Sequence, residues 1–397
     1  MSEIKQKFEN TFHAAPTHVF SAPGRTELSG NHTDHQHGLV LAAAVELDTR
    51  AAVALNGTDV IRVLSEGYPL CEVDLRDLSI RPEEKNTTAA LIRGVAAGFT
   101  KRGCTVKGFD AYVTSTVLPG SGLSSSAAFE VLLGTAINHL FSCGIDAVEI
   151  AKIAQYAENV FFGKPCGLMD QMASSVGGCV AIDFADPAIP VITPVNFDFS
   201  ACGHQLCIID SGASHADLTD EYAAVPHELA AVSAFFGKAV LRDVPEADFY
   251  AALPRVRAAT GDRAVLRAIH VYDENRRVEA QVAALQQGDF NSFLRYVNLS
   301  GFSSQNLLQN VIPTGATTHQ DVALALALAR HLLNGRGACR VHGGGFAGTI
   351  QAFVPDDMLE SFRNGVETVL GAGSCHVLAI RREGGVLVEG KKNAKAL

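Results

Sequence analysis

The sequence predicts an α+β protein built in two domains, and three observations predict it. At 397 residues the chain exceeds the size at which a single hydrophobic core stops growing, so two domains are the natural division. Strand-like stretches come in runs interrupted by helix pairs, without the strict β-α alternation of a doubly wound parallel sheet. Hydrophobic residues make up 47% of the chain and charged residues 19%, the composition of a well-cored globular protein rather than a disordered or fibrous one. A boundary near residue 200 divides the chain into residues 1–200 and 201–397, although the composition does not shift sharply there.

Taken in order, residues 1–14 carry an amphipathic helical pattern that ends before Ala15-Pro16. Residues 17–25 read as a short strand into a turn, and 38–55 as apolar strand material. Residues 59–67 and 70–75 add two strands between Gly and Pro signals. The period turns helical over 88–101. An alternating strand at 108–119 runs into a Gly/Ser-rich turn at 119–126, and helices follow over 127–140 and 147–161. Strands return at 177–184 and 205–212, then helices at 218–238 and 249–257. The second half has helical stretches at 278–300 and 319–335. It closes on strand, Gly turn and strand over 339–354, with strands at 375–382 and 385–390.

The bulk properties exclude several classes. Thirty-two basic against forty-two acidic residues give a net charge of −10, and the sole basic cluster is the tail "KKNAK", so no nucleic-acid partner is expected. Apolar runs such as residues 322–334 are broken by Arg or His before membrane-spanning length. The N-terminus has no apolar signal segment, which makes the cytoplasm the expected location. Nine cysteines (71, 104, 143, 166, 179, 202, 207, 339, 375) stand without a CxxC pair, as reduced and mostly buried thiols do.

Three segments carry chemistry. The turn holding Gly120, Ser121, Gly122, Leu123, Ser124, Ser125 and Ser126 joins a strand to a helix. Its glycines let backbone N–H groups approach a ligand, and its serines sit where a helix N-terminus favours an anion. No GK[ST] follows, so this phosphate cradle is not a Walker loop. An ordinary Ser-capped helix after a Gly turn is the plainer alternative. Residues 23–38, "PGRTELSGNHTDHQHG", crowd ionisable groups between two apolar strands. His32, Asp34, His35 and His37 admit a metal reading, but no further ligand completes it; Asn31, His32 and Asp34 also supply donors and acceptors at hydroxyl spacing. Finally, "AENVFFGKPCGLMDQ" places Glu158 in a helix and Asp170 among apolar neighbours, where a buried carboxylate needs a cation. Asp170 either caps the next helix or is kept ionised beside Arg25 to handle a hydroxyl proton.

These segments, with "HGGGFAG" at 342–348, resemble the galactokinases of the GHMP kinase superfamily in order and spacing, from about residue 19 to about 354. The resemblance implies two α+β domains with the active site in the cleft between them. It implies ATP and Mg²⁺, with residues 120–126 as the triphosphate loop and Ser126 and Glu158 as the metal ligands, a set sufficient for an ion that keeps several waters. It makes Asp170 and Arg25 the catalytic pair, places Asn31, His32, Thr33, Asp34, Gly167 and Tyr222 at the sugar, and gives residues 343–348 a supporting role. The implied reaction phosphorylates a hexose at its anomeric hydroxyl.

Galactokinases usually carry Glu where this chain has Asn31. A carboxylate there would repel an acidic substrate by roughly 1 kcal/mol in water-like surroundings and about 4 kcal/mol at an intermediate dielectric. Asn removes that repulsion while keeping an amide for a hydroxyl, so galactose is the first expectation and galacturonate or another C6-modified sugar the second. The chain has no Trp, and Thr88 and Leu91 stand where the family often has Trp and Tyr near the adenine. Two rivals stay open: a GHMP kinase for an isoprenoid or amino-acid alcohol, against which the polar turn argues, and a non-catalytic sugar and ATP sensor.

Overall fold

The computed structural model describes residues 2–117, 122–164, 166–213 and 218–390. Helix α1 (Ser2–Phe12) leads into strands β1 (His18–Ser29), β2 (Leu39–Leu55), β3 (Val60–Ser65) and β4 (Cys71–Asp74). Then come α2 (Thr88–Lys101), β5 (Phe109–Ser115), α3 (Ser125–Leu140), α4 (Ala147–Tyr156), a π-turn (Ala157–Phe162), α5 (Met169–Val176), β6 (Cys179–Asp183) and β7 (Val191–Pro194). The remainder holds β8 (His204–Asp210), α6 (Thr219–Phe235), α7 (Glu246–Ala251), α8 (Leu253–Thr260), α9 (Asp262–Gln286) and α10 (Phe290–Ser303). It ends with α11 (Asp321–Leu333), β9 (Ala338–Val341), β10 (Thr349–Pro355), α12 (Leu359–Leu370), β11 (Cys375–Leu378) and β12 (Val386–Glu389).

Among the described residues, eight strands make the first sheet, in the order β12-β1-β2-β5-β3-β4 with β6 on β2 and β7 beyond it. All pairings are antiparallel except β3 with β5. The second sheet runs β11-β8-β10-β9, all antiparallel. The mixture of runs of strands with helix pairs is the α+β arrangement expected. After Leu378 the chain leaves the second sheet and returns to the first, where β12 pairs with β1.

One core packs the first sheet under α2, α3 and α4 through Phe20, Val53, Val95, Phe99, Phe109, Leu132 and Ile153. Another joins the halves, setting Leu28, Leu41 and Leu123 against Ile208, Val297 and Phe353. Elements from both halves therefore meet along β1. No helix among the described residues is long and apolar enough to cross a membrane.

Two expectations need correction. Residues 23–29 are strand, not turn: β1 continues through Pro23-Gly24 with its pairing to β2 shifting between Pro23 and Arg25. The shift accommodates a proline that has no N–H to donate. Residues 278–300 are not one helix either. Gly288 (φ 72°) ends α9, Asp289 caps α10 through Ser292 N, and α9 starts at Asp262 rather than Val278.

Candidate active site

Arg25 lies on β1 and Asp170 in the first turn of α5, and the fold brings them into a two-pronged ion pair. Arg25 Nε donates to Asp170 Oδ1 at 2.7 Å, and Nη2 lies 2.6 Å from Oδ2. The arginine side chain is 8% exposed and the aspartate side chain 27%, so the carboxylate keeps an open face. Burial pushes the Asp170 pKa up, but the Arg25 guanidinium and the Ser124 hydroxyl outweigh it and hold the carboxyl below its ordinary value. The helix-capping alternative is not met, since Leu168 holds the cap position of α5.

The same arginine is tied to the Gly/Ser bend. Arg25 N donates to Leu123 O at 3.0 Å, and Nη1 donates to Gly122 O. Gly122 has φ 73°, a conformation that favours glycine, and a Cβ there would sit in tight contact, 3.0 Å from His342 Nδ1. Ser124 adopts φ 57° at the cap position of α3 without making the usual side-chain cap bond. Its hydroxyl serves Asp170 instead, which leaves the first N–H groups of α3 available to an anion. Ser125 and Ser126 form the first turn of α3. Gly120 and Ser121 lie outside the described residues.

Ser126 and Glu158 also meet. Ser126 Oγ donates to Glu158 Oε1 at 3.2 Å, and Lys164 Nζ lies 3.3 Å from the same oxygen. The π-turn that follows α4 carries Glu158, which is 2% exposed. One hydroxyl and one carboxylate are hard oxygen donors of the kind Mg²⁺ takes alongside waters and phosphates. Among the described residues no group of three or more His, Cys, Asp and Glu side chains is arranged to hold a metal. The donor set fits a magnesium ion carried in with a nucleotide, and the metal reading of the His32–His37 turn gains nothing.

The expected sugar residues divide. Asp34 is half-buried, and its Oδ2 lies against Gly167, where a Cβ would come within 2.0 Å. Burial pushes the Asp34 pKa up; His32 opposes this and the Asp170 carboxylate adds to it. Asn31 departs from expectation. It is 1% exposed, and its amide is spent inside the protein. Asn31 Nδ2 donates to Glu27 Oε1 (3.1 Å) and Gly343 O (2.7 Å), while Oδ1 accepts from Asn310 Nδ2 (2.8 Å) and Ser304 Oγ (3.2 Å). With both hydrogens and both lone pairs in use, no capacity remains for a sugar hydroxyl. Thr33 is fully buried, its hydroxyl turned back on Gly30 O (2.8 Å) and Leu39 O (2.6 Å).

His32 and Tyr222 hold the glycine motif. His32 Nε2 is 3.0 Å from Gly344 O, and because a carbonyl can only accept, that nitrogen carries the proton. Its Nδ1 is 3.2 Å from His35 Nε2. Burial and then His32 push the His35 pKa down to about 3. Tyr222 Oη donates to Gly345 O at 2.8 Å, so three successive carbonyls of this loop are held by side chains from elsewhere. Gly345 has φ 80°, and a Cβ on it would lie 2.1 Å from Asn310 O.

The sequence reading missed the residues that set this turn. Glu274, fully buried on α9, accepts from Gly30 N (3.0 Å), Ser29 Oγ (3.2 Å) and Ser300 Oγ (2.7 Å), and Arg277 Nε donates to it at 2.7 Å. His270, one turn earlier, lies 2.9 Å from Asn31 O through Nε2. Burial pushes its pKa down to about 4, so it donates as a neutral ring. Buried Arg340 on β9 pairs with Glu27 on β1 and donates to Leu28 O at 2.9 Å. A helix pattern started before Val278 would have placed His270 and Glu274 four apart on one face; for Arg340 no local signal exists.

Comparison with known proteins places the chain in a family. The family model for the GHMP kinases N terminal domain matches residues 90–178, and the galactokinase galactose-binding signature matches residues 6–55. The chain is 32% identical over 369 residues to a galactokinase of Streptomyces coelicolor, covering 93% of this chain and 92% of the relative. It is 33% identical over 361 residues to one of Actinobacillus pleuropneumoniae, covering 90% of each. The crystal structure of Lactococcus lactis galactokinase complexed with galactose superposes with a TM-score of 0.82, covering 98% of this chain and 99% of that one at 23% identity. An Arg25–Asp170 pair locked to a Gly/Ser bend, two family models and full-length relatives above 30% identity lead to one conclusion: the chain belongs to the galactokinase family of GHMP kinases.

Proposed function

We propose that this chain transfers the γ-phosphoryl group of ATP to the anomeric hydroxyl of galactose, in a cleft between the halves on either side of residue 200. The observation that carries the reading is the two-pronged Arg25–Asp170 pair, with Arg25 also bonded to the Gly/Ser bend. Phosphoryl transfer depends on positioning and charge neutralisation more than on covalent chemistry. The α3 N-terminus and residues 120–126 receive the phosphates, and Arg25, with N–H donors to spare, faces the transferring group. Ser126 and Glu158 would hold Mg²⁺, which supplies neutralisation of the β- and γ-phosphate charge when bound.

Asp170 orients the sugar hydroxyl. Held below its ordinary pKa by Arg25 against the effect of burial, it is a weak base. It therefore takes the proton late, once the new bond to phosphorus has made the oxygen acidic. Asp34 binds sugar hydroxyls beside Gly167. His32 and Tyr222 shape the site's wall as they hold the glycine loop, and Asn31 and Thr33 act behind it.

Gly167→Ala tests Asp34. The new methyl group meets only the far end of that side chain, so the fold should survive while the carboxylate is displaced. Losing a hydrogen bond to a charged group, at about 1.5–3 kcal/mol, should raise the sugar KM on the order of 10–100-fold with the unfolding temperature nearly unchanged. An unaltered KM would take Asp34 out of the sugar site.

The reading as a whole is tested by ADP release across galactose, galacturonate, other hexoses, mevalonate and homoserine. Galactose should be turned over fastest. Because position 31 brings no carboxylate to the site, galacturonate is the second sugar to measure. Sugar binding without ADP release would sink the catalytic reading, and turnover of galacturonate alone would move the substrate.

A further inference from the structure

The deep side of this site holds an acid that the mechanism does not use. Glu130 lies on α3, one turn beyond Ser126, and is wholly buried, as is Gln171 on α5. Gln171 Nε2 donates to Glu158 Oε2 at 2.7 Å and to Glu130 Oε2 at 3.2 Å. Both amide hydrogens are therefore in use, and turning the amide over would aim its carbonyl at two carboxyl groups.

Two oxygens are then left buried without a partner: Glu130 Oε1 and Gln171 Oε1. If Glu130 is ionised, both are acceptors, and two acceptors cannot satisfy each other. A single proton on Glu130 Oε1 would turn it from acceptor to donor. An acid O–H can donate to an amide carbonyl such as Gln171 Oε1, and with Glu130 Oε2 accepting from Gln171 Nε2 the two side chains would then form the two-bond ring of a carboxylic acid with a primary amide. The outward hydrogen of that amide then points at Glu158 Oε2, which fixes the Glu158 carboxylate with its other oxygen turned to Ser126.

We propose that Glu130 is a neutral carboxylic acid in the folded protein, and that its ring with Gln171 positions the Glu158 carboxylate. The titratable and charged groups facing Glu130 fit this. Burial, then Glu158, push its pKa well up; Asp170 adds to this, while Lys164 and the Gln171 hydrogen bond oppose it. The neutral acid gives Gln171 a second anchor without setting another negative charge behind Glu158. Glu130 is thus a positioning residue acting through Gln171, and its bearing on the metal rests on the reading of Glu158 as a Mg²⁺ ligand.

Infrared difference spectroscopy of the protein without nucleotide or metal, wild type against Glu130→Gln, tests the proton directly. The carbonyl stretch of a protonated carboxylic acid should vanish in the variant. Its absence from the wild type would overturn the proposal. Glu130→Leu, which leaves Gln171 Oε1 bare and its amide unanchored, should raise the Mg²⁺ concentration for half-maximal rate about 10–100-fold. Glu130→Gln rebuilds the ring as an amide pair and should restore most of that loss; equal damage in the two variants would also overturn it. Glu158→Gln serves as the reference. If the Mg²⁺ requirement ignores that change, the metal reading falls and the positioning role with it, while the infrared band still decides the proton.

Discussion

Asp170→Asn should lower turnover by about 10²–10⁴-fold while shifting the sugar KM by less than about tenfold. The amide has nearly the carboxylate's shape, and its single oxygen can still accept from one Arg25 N–H and from the sugar hydroxyl, although its NH2 sets a donor against the other prong of the pair. It cannot take the proton, and it replaces a charged acceptor 2.6 Å from Arg25 Nη2 with a neutral one. The loss should therefore fall on kcat. Steady-state rates with varied sugar, together with sugar binding followed by thermal shift, separate the two effects. Near-normal turnover would end the proton-handling role of Asp170. Loss of binding with loss of fold would make the Arg25–Asp170 pair a structural clasp.

Arg340→Met should be the most destabilising single change, at about 3–5 kcal/mol. Arg340 is fully buried and Glu27 is 5% exposed, one on each sheet, so removing the cation strands a carboxylate in the interior. Asn31 Nδ2 would remain beside Glu27 Oε1 at 3.1 Å, too little to solvate a full charge. Adding Glu27→Gln should recover much of the loss, because the pair then disappears without leaving an ion behind. Denaturant unfolding of the single and double variants measures this. Equal stability of the two would show that Arg340 contributes through its packing and its bond to Leu28 O rather than through the ion pair.

Much of the site was readable because its chemistry is local in sequence. The Gly/Ser bend, Asp170 in its apolar run and the charged stretch at 23–38 each announce themselves within a short run of sequence, and the fold brings Arg25, Ser124 and Asp170 together. What could not be read was the direction of each side chain. Both Asn31 and Thr33 look like cleft residues by composition, yet the Thr33 hydroxyl turns back on Gly30 O and Leu39 O, and the Asn31 amide is consumed by the stretch after α10 and by the glycine loop. The partners come from residues 304, 310 and 343, so neither spacing nor propensity signals the contact. In the fold, strand and helix periods located most elements. The misread stretches are those where burial on both faces erased alternation, as in β1, or where the helical period began before its apolar stripe, as in α9.

The pairing of β12 with β1, at Val19 with Glu389, Phe20 with Leu387 and Ser21 with Val386, bears on how the protein is made. The strand carrying Arg25 is synthesised well before its partner, and one of its edges gains a neighbour only once the chain through Glu389 has emerged from the ribosome. Until then a row of unbonded N–H and C=O groups stands open to strands of other nascent chains. Closure across so long a stretch of sequence is a slow step. Aggregation during synthesis, rather than instability of the finished molecule, is thus where changes in the last strand should first be felt.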